Sequence, residues 1–306
     1  LYCKGIKYYQ EQIPVRGFQS AVDPVLNFGI GANTIIDSMR VVWPNDKSQK
    51  LEKVKANQTL LVDLKNATSD LQFNPLPDKN NYFVNTSVIP YVHKENLFND
   101  FTVQTLMPNY LSRQGPCMAK SDVNGDGRED LFVGGAAGQA GAIFIQQANG
   151  AFAIKPSPAF AADLMCEDTA AEFLDIDGDK DMDLYVGSGG YEFSLDDKLL
   201  QHRLYLNDGR GNFSKKMTGL PAMAISAGTV KAGDLNRDGF TDLFVGGRVT
   251  PGRYPVAPES MILMNDGKGN FSDRTSSVAP AAKNAGMVTD ALWIDLNKDN
   301  FDDLII

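Results

Sequence analysis

Asp122-Val123-Asn124-Gly125-Asp126-Gly127-Arg128-Glu129-Asp130 is the stretch on which the fold turns. Oxygen-bearing side chains stand at positions 1, 3, 5 and 9, with glycine at position 6. An apolar run, Leu131-Phe132-Val133, follows directly. The pattern returns as Asp175-Ile176-Asp177-Gly178-Asp179-Lys180-Asp181-Met182-Asp183 and as Asp234-Leu235-Asn236-Arg237-Asp238-Gly239-Phe240-Thr241-Asp242. Its last copy is Asp295-Leu296-Asn297-Lys298-Asp299-Asn300-Phe301-Asp302-Asp303. These are loops 1 to 4. They recur about every 55–60 residues, longer than a WD40 unit and long enough for four short strands.

Other landmarks repeat in phase with the loops. Apolar segments precede them, as in Ala170–Leu174, Thr229–Ala232 and Ala291–Ile294. Second runs follow at Leu131, Leu184, Leu243 and Leu304, and third runs at Ala142, Arg203 and Met261. The third runs close on turns ending in Phe152, Phe213 and Phe271, whose Asn-Gly and Asp-Gly pairs suit hairpins needing positive φ. Pro-Ala connectors at Pro158, Pro221 and Pro280 lead into the next unit. The period predicts four strands per unit, A, acidic loop, B, C, turn and D, and hence an all-β partial β-propeller over residues 93–306. Three full units and the start of a fourth leave strand edges open. The remainder of the propeller is therefore expected elsewhere in a parent chain of which this is a piece.

Residues 1–67 lack acidic loops and read as a separate small β-sandwich-like module. Strands are expected at Tyr8–Gln19, Val25–Gly31, Ser38–Trp43, Gln49–Val54 and Thr59–Leu64, with a turn at Pro44-Asn45-Asp46. Residues 68–92 are polar and turn-rich and read as a linker.

Composition excludes several functions. The net charge of −9 argues against nucleic acid, whose phosphates call for clustered Lys and Arg. No run approaches the ~18 apolar residues of a membrane span. The three cysteines, Cys3, Cys117 and Cys166, form no CxxC or Cys/His set, although a Cys117–Cys166 pair is compatible with their matching places before loops 1 and 2. With only two histidines, His93 and His202, and no HExxH, GxSxG or phosphate-loop motif, a non-enzymatic role is favoured. Asn57, Asn66, Asn85, Asn212 and Asn270 stand in N-glycosylation motifs, relevant only to a glycosylating secretory route.

The loop chemistry points to Ca²⁺, a hard ion taking six to eight oxygens in flexible geometry. In loop 1 the expected ligands are Asp122, Asn124, Asp126, the Arg128 carbonyl and Asp130; in loop 2, Asp175, Asp177, Asp179, Asp181 and Asp183. Loop 3 offers Asp234, Asn236, Asp238, the Phe240 carbonyl and Asp242. Loop 4 offers Asp295, Asn297, Asp299, the Phe301 carbonyl and Asp303. Position 6 calls for a left-handed residue, which Gly127, Gly239 and Asn300 accept readily and Lys180 less so. An EF-hand is excluded, because position 12 is Val133, Val186, Val245 or Ile306 rather than Glu. Mg²⁺, metal-free polar turns and a catalytic metal remain as alternatives.

In antiparallel blades the A–B and C–D turns share one face and the B–C and D–A connections the other. The non-repeating B–C loops hold Tyr191, Phe193, Arg248, Arg253 and Tyr254, residue types enriched at recognition sites. Either these loops pack on neighbouring blades or they bind a protein or glycan.

Two resemblances extend this reading. Arg16-Gly17-Phe18-Gln19-Ser20, Leu26-Asn27-Phe28-Gly29-Ile30-Gly31 and Val41-Val42-Trp43-Pro44 resemble, in order, blocks of the ASPIC/UnbV domain. Asn27 stands where that family has His, and the family's N-terminal Asn-Arg-x-x-Gly-Ala block is absent. The loop-bearing units resemble FG-GAP/VCBS repeats of integrin-alpha-like propellers. Together these imply an arrangement similar to cartilage-acidic-protein-like and bacterial surface proteins. The expected function is a calcium-binding, secreted or cell-surface scaffold for a protein or glycan ligand, in the setting of an outer-membrane lipoprotein or outer-membrane-associated assembly. The alternative is a surface carbohydrate-active protein with its site on the face opposite the loops.

Overall fold

The structure is a computed structural model describing residues 1–15, 17–70 and 89–306. It divides into two compact units, Leu1–Val84 and Asn85–Ile306. Arg16, Asn85 and most of the expected linker lie outside the described residues.

The first unit holds one five-stranded antiparallel sheet. Its strands are β1 (Tyr2–Cys3), β2 (Ile6–Lys7), β3 (Ile35–Val42), β4 (Lys47–Lys55) and β5 (Ser69–Asp70), in the order β2-β1-β3-β4-β5. The described strands thus form a single layer rather than two. The β3–β4 hairpin turns at Pro44-Asn45-Asp46, where Asp46 takes φ +60° and its N–H bonds to the Trp43 carbonyl at 3.0 Å. Both expected strands flanking that turn are present. Three others are not. Tyr8–Gln19, interrupted by Pro14 and Gly17, contributes only an isolated Val15–Ala21 bridge. Val25–Gly31 and Thr59–Leu64 are irregular; the latter lacks period-two alternation and leaves Leu61 94% exposed.

The second unit realises the repeat. Blade I comprises β6 (Met118–Ser121), β7 (Asp130–Val133), β8 (Ala142–Gln146) and β9 (Phe152–Lys155). Blade II comprises β10 (Asp168–Leu174), β11 (Asp183–Ser188), β12 (Arg203–Asn207) and β13 (Phe213–Lys216). Blade III comprises β14 (Ser226–Gly233), β15 (Asp242–Val249), β16 (Met261–Asn265) and β17 (Phe271–Asp273). β18 (Leu292–Ile294) and β19 (Asp303–Ile305) pair as the start of blade IV. Each full blade is antiparallel in chain order, with an acidic loop at every A–B corner.

Burial explains the sequence of the B strands. β11 is buried at every residue, because both its faces meet neighbouring blades. Leu184 and Val186 pack toward blade I with Phe132, Ile143 and Val123. Tyr185 packs toward blade III with Leu243, Val245 and Val230. Gly187 suits this close stacking: a Cβ there would lie 3.1 Å from the Cβ atoms of both Ala170 and Ala227. The D–A connector after blade I forms a short helix, α1 (Pro158–Ala162), which drives Phe160 into the seam. Its ring meets Tyr205 edge-on at 4.8 Å and Phe132 at 5.5 Å.

All three cysteines are free thiols, so the Cys117–Cys166 pair is not formed. Burial raises the thiol pKa of both. His202 is buried between blades II and III. Its Nδ1 lies 2.6 Å from the Tyr185 hydroxyl and its Nε2 2.9 Å from the Ile225 carbonyl. The neutral imidazole, donating to the carbonyl and accepting from the hydroxyl, satisfies both contacts. Burial lowers its pKa to about 4, with the Arg203 charge adding in the same direction.

A depressed histidine pKa gives stability that is present above the unfolded value and lost as pH falls through the folded one. We expect the unfolding free-energy gap between the native protein and a His202→Gln variant to narrow by on the order of 3 kcal/mol from pH 6.5 to 4. Urea titrations across that window measure it; a constant gap contradicts a buried neutral His202.

Candidate metal centres

The four loops share one hydrogen-bond plan. The position-1 carboxylate accepts the position-6 N–H, at 2.7 Å from Gly127, 3.1 Å from Lys180, 3.0 Å from Gly239 and 2.9 Å from Asn300. The position-5 carboxylate accepts from position 7, namely Arg128, Asp181, Phe240 and Phe301. The position-9 carboxylate accepts from position 2, at 3.2, 3.0, 3.1 and 3.1 Å in order. The loops are therefore prefolded by their own acids.

Such wrapping demands left-handed backbone at two places. Position 6 has φ of +81° at Gly127, +75° at Lys180, +87° at Gly239 and +66° at Asn300. Lys180 thus adopts the conformation its side chain disfavours. Position 4 is left-handed as well: Gly125 at +74°, Gly178 at +86°, Arg237 at +60° and Lys298 at +63°. The sequence reading called for left-handed backbone at position 6 alone, and only loops 1 and 2 carry glycine at position 4.

Position 3 separates loop 2 from the rest. In loops 1, 3 and 4 it is Asn, whose Oδ1 accepts the position-5 N–H at 3.0, 3.0 and 2.8 Å. The Asn236 and Asn297 amides also donate to Asp238 and Asp299, at 2.7 and 2.9 Å. In loop 2 it is Asp177, whose Oδ1 is buried with no partner. Carboxylate oxygens of Asp175, Asp177 and Asp183 lie within 4.8 Å of one another. None of the three is in an ion pair among the described residues. Burial pushes the Asp183 carboxyl up to about 7, with Asp177 and Asp179 adding repulsion against the N–H groups of Asn207 and Ile176. In loop 1 the balance differs: burial raises Asp122, but four loop N–H groups outweigh it and its pKa falls. The donor set fits a hard cation at loop 2, and Asp179 and Asp181 stand in the same loop. In the remaining loops the position-3 oxygen is held in a hydrogen bond to the loop backbone.

The position-9 aspartates of loops 1 to 3 are buried, at 0% exposure for Asp130, 1% for Asp183 and 0% for Asp242. Their second oxygens accept N–H groups from the last residues of the C strands, at 2.8 Å from Gln146, 2.7 Å from Asn207 and 2.8 Å from Asn265. Those asparagines have a role not read from the sequence. The Asn207 amide donates to the Val123 carbonyl at 2.8 Å, and the Asn265 amide to the Ile176 carbonyl at 2.9 Å. Each contact reaches the second residue of the preceding blade's loop.

The expected recognition residues divide. Tyr191 is 1% exposed and packs with Met107, Leu111 and Val249. Its hydroxyl donates to Gln104, which also bonds the Tyr254 backbone in both directions, at 2.7 and 2.9 Å. Tyr191 is thus a tether for the lead-in segment and not a surface contact, and half-buried Tyr254 shares that tether. Phe193 and Arg248 are half-buried, and Arg253 is exposed.

Stacked four-stranded blades with an acidic loop at each A–B corner define the second unit as part of a repeat propeller. Comparison with family models agrees in detail. Residues 1–69 match the model described as ASPIC and UnbV, and residues 122–186 match the FG-GAP-like repeat. The chain carries an ASPIC/UnbV domain followed by FG-GAP-like repeat sequence. No curated protein matches the chain. Among solved structures, a lectin from Agrocybe aegerita, described as recognising non-reducing terminal N-acetylglucosamine, is 22% identical with a TM-score of 0.36. That match covers 52% of this chain and 37% of the lectin, so the chain spans little more than a third of its length.

Three substitutions test the loop geometry. Asn265→Ala leaves the buried Ile176 carbonyl unpaired and should cost about 1–3 kcal/mol. Asn212→Ala, which removes an exposed amide bond to Asp208, should cost less than ~1 kcal/mol. Lys180→Gly should stabilise by about 1 kcal/mol by relieving the left-handed backbone. Denaturant melts of the three variants measure all of these.

Proposed function

We propose that the acidic loops bind Ca²⁺, loop 2 foremost, and that the second unit is a calcium-stiffened, non-enzymatic binding scaffold outside the cell or on its surface. The observation that carries the reading is the unpartnered buried Oδ1 of Asp177 beside Asp175 and Asp183. Three carboxylates held this close repel one another unless a proton or a cation intervenes. Oxygen-only donors in a nine-residue loop favour calcium over softer metals. Asp175, Asp177 and Asp183 would hold the ion, with Asp179 and the Asp181 carbonyl as further oxygens. A bound divalent cation would supply charge neutralisation there and no bond-breaking chemistry. Asp183 also grips β12, so its ionised form would tie metal binding to the blade.

A protein or glycan ligand is proposed for the opposite face, where Arg253 is exposed and Phe193 and Arg248 are half-buried. The Tyr191–Gln104–Tyr254 tether supports this by fixing the two B–C loops to one segment, which lowers the ordering cost of binding. Surface localisation accords with calcium sites of 10⁻⁴–10⁻³ M affinity, which fill at extracellular concentrations.

Calorimetry with Ca²⁺ and thermal melts in chelator test the first part. At about 100 Kd of Ca²⁺ one site adds ~2.7 kcal/mol of stability. Asp177→Asn should remove the tightest binding event and most of that gain. Absence of binding heat together with an unchanged melting temperature in chelator would overturn the reading.

A further inference from the structure

Asn124-Gly125 in loop 1 is one of two Asn-Gly pairs in the chain; the other is Asn149-Gly150. Such a pair can react with itself. The backbone nitrogen after an asparagine can close a five-membered ring onto the side-chain Cγ, and glycine puts no Cβ in its path. The attack is ordinarily slow. A peptide nitrogen is a weak nucleophile while it keeps its proton, and negative charge builds on Oδ1 as the new bond forms.

Loop 1 supplies a partner for each need. The Gly125 N–H donates to a carboxylate, Asp122 Oδ1, at 2.8 Å. Asn124 Oδ1, where charge would develop, accepts the Asp126 N–H at 3.0 Å. The leaving group is unrestrained, because Asn124 Nδ2 makes no hydrogen bond among the described residues. Asp126 Oδ2 is taken instead by the Arg128 guanidinium.

The asparagines of loops 3 and 4 share only the bond to Oδ1. Asn236 and Asn297 are followed by Arg237 and Lys298, and their amide nitrogens are held by Asp238 and Asp299 at 2.7 and 2.9 Å. Asn149 is the sharper contrast. It is exposed, whereas Asn124 is half-buried. Its Oδ1 accepts the Ala151 N–H at 3.0 Å, much as in loop 1. The Gly150 N–H, however, donates to the Gln147 backbone carbonyl at 2.8 Å. A carboxylate can accept that proton outright; a peptide carbonyl is far too weak a base.

We propose that Asn124 is a modification site, at which loop 1 converts its own asparagine to aspartate or isoaspartate. The Gly125 nitrogen bonds to Asn124 Cγ, and its proton passes to Asp122. The Cγ–Nδ2 bond then breaks, and Nδ2 takes that proton and leaves as ammonia. Water, the only co-reactant, opens the cyclic imide at either carbonyl and restores the Gly125 N–H. The aspartate product has at position 3 the residue that loop 2 already carries as Asp177. The isoaspartate product lengthens the backbone between Asp122 and Gly127, whose 2.7 Å bond closes the loop.

Peptide mapping by mass spectrometry tests this on the full chain, aged in neutral buffer with chelator so that no cation competes for Asp122. In the folded protein Asn124 should lose its amide roughly tenfold faster than Asn149, against the order that exposure alone would give. In urea, where Asp122 no longer faces Gly125, the two rates should converge. A folded protein in which Asn149 reacts as fast as Asn124, or a rate ratio that urea leaves unchanged, would overturn the proposal.

Discussion

The ninth-position aspartate is the constraint from which each blade is built. A carboxylate has two oxygens, and in Asp130, Asp183 and Asp242 each oxygen takes a different task. One accepts the N–H of the loop's second residue, and the other accepts the N–H of the last residue of strand C. The loop, strand B and strand C are thereby pinned at one point. Burying a carboxylate is costly unless its oxygens are paired, and here both are. Hence these positions are Asp: Asn could offer only one acceptor oxygen, and Glu would overreach the corner.

The same construction passes order from blade to blade. The Val123 N–H donates to Asp130, and its carbonyl accepts from the Asn207 amide of the next blade. The Ile176 N–H donates to Asp183, and its carbonyl accepts from the Asn265 amide. A residue with apolar side chain thus has its two backbone groups divided between adjacent blades, while its side chain fills the seam between them. Such a peptide cannot shift without disturbing both partners. Repeat proteins draw stability from nearest-neighbour interfaces. In this chain each interface is fastened beside an acidic loop, so whatever firms the loop also firms the joint.

Much of this was legible in the sequence. The period placed all four loops and the strands around them, because alternate strands and corner residues must recur in every blade. Local signals could not reach further. Nothing near Tyr191 announces that its hydroxyl is taken by Gln104, 87 residues away. Asn207 and Asn265 stand directly before Asp-Gly turns, where Asn is common, so nothing local marks their long-range amide bonds. Left-handed backbone at Arg237 and Lys298 is imposed by the loop's hydrogen bonds and carries no glycine to mark it. In the first unit, apolar residues without alternation suggested strands that have no partner to pair with, as at Thr59–Leu64.

Loop 2 shows how one atom changes what a repeat can do. In loops 1, 3 and 4 an asparagine at position 3 spends its oxygen on the backbone and, in two of them, its amide on the neighbouring aspartate. Those loops are closed by internal hydrogen bonds and carry less negative charge. Asp177 has no amide to give, so it can neither satisfy Asp179 nor neutralise the cluster from within. The unpartnered Oδ1 of Asp177 is left beside Asp175 and Asp183. Loop 2 thus keeps an unpartnered acceptor at the position where the other three loops have theirs satisfied, and the left-handed backbone accepted at Lys180 holds it in the conformation all four share.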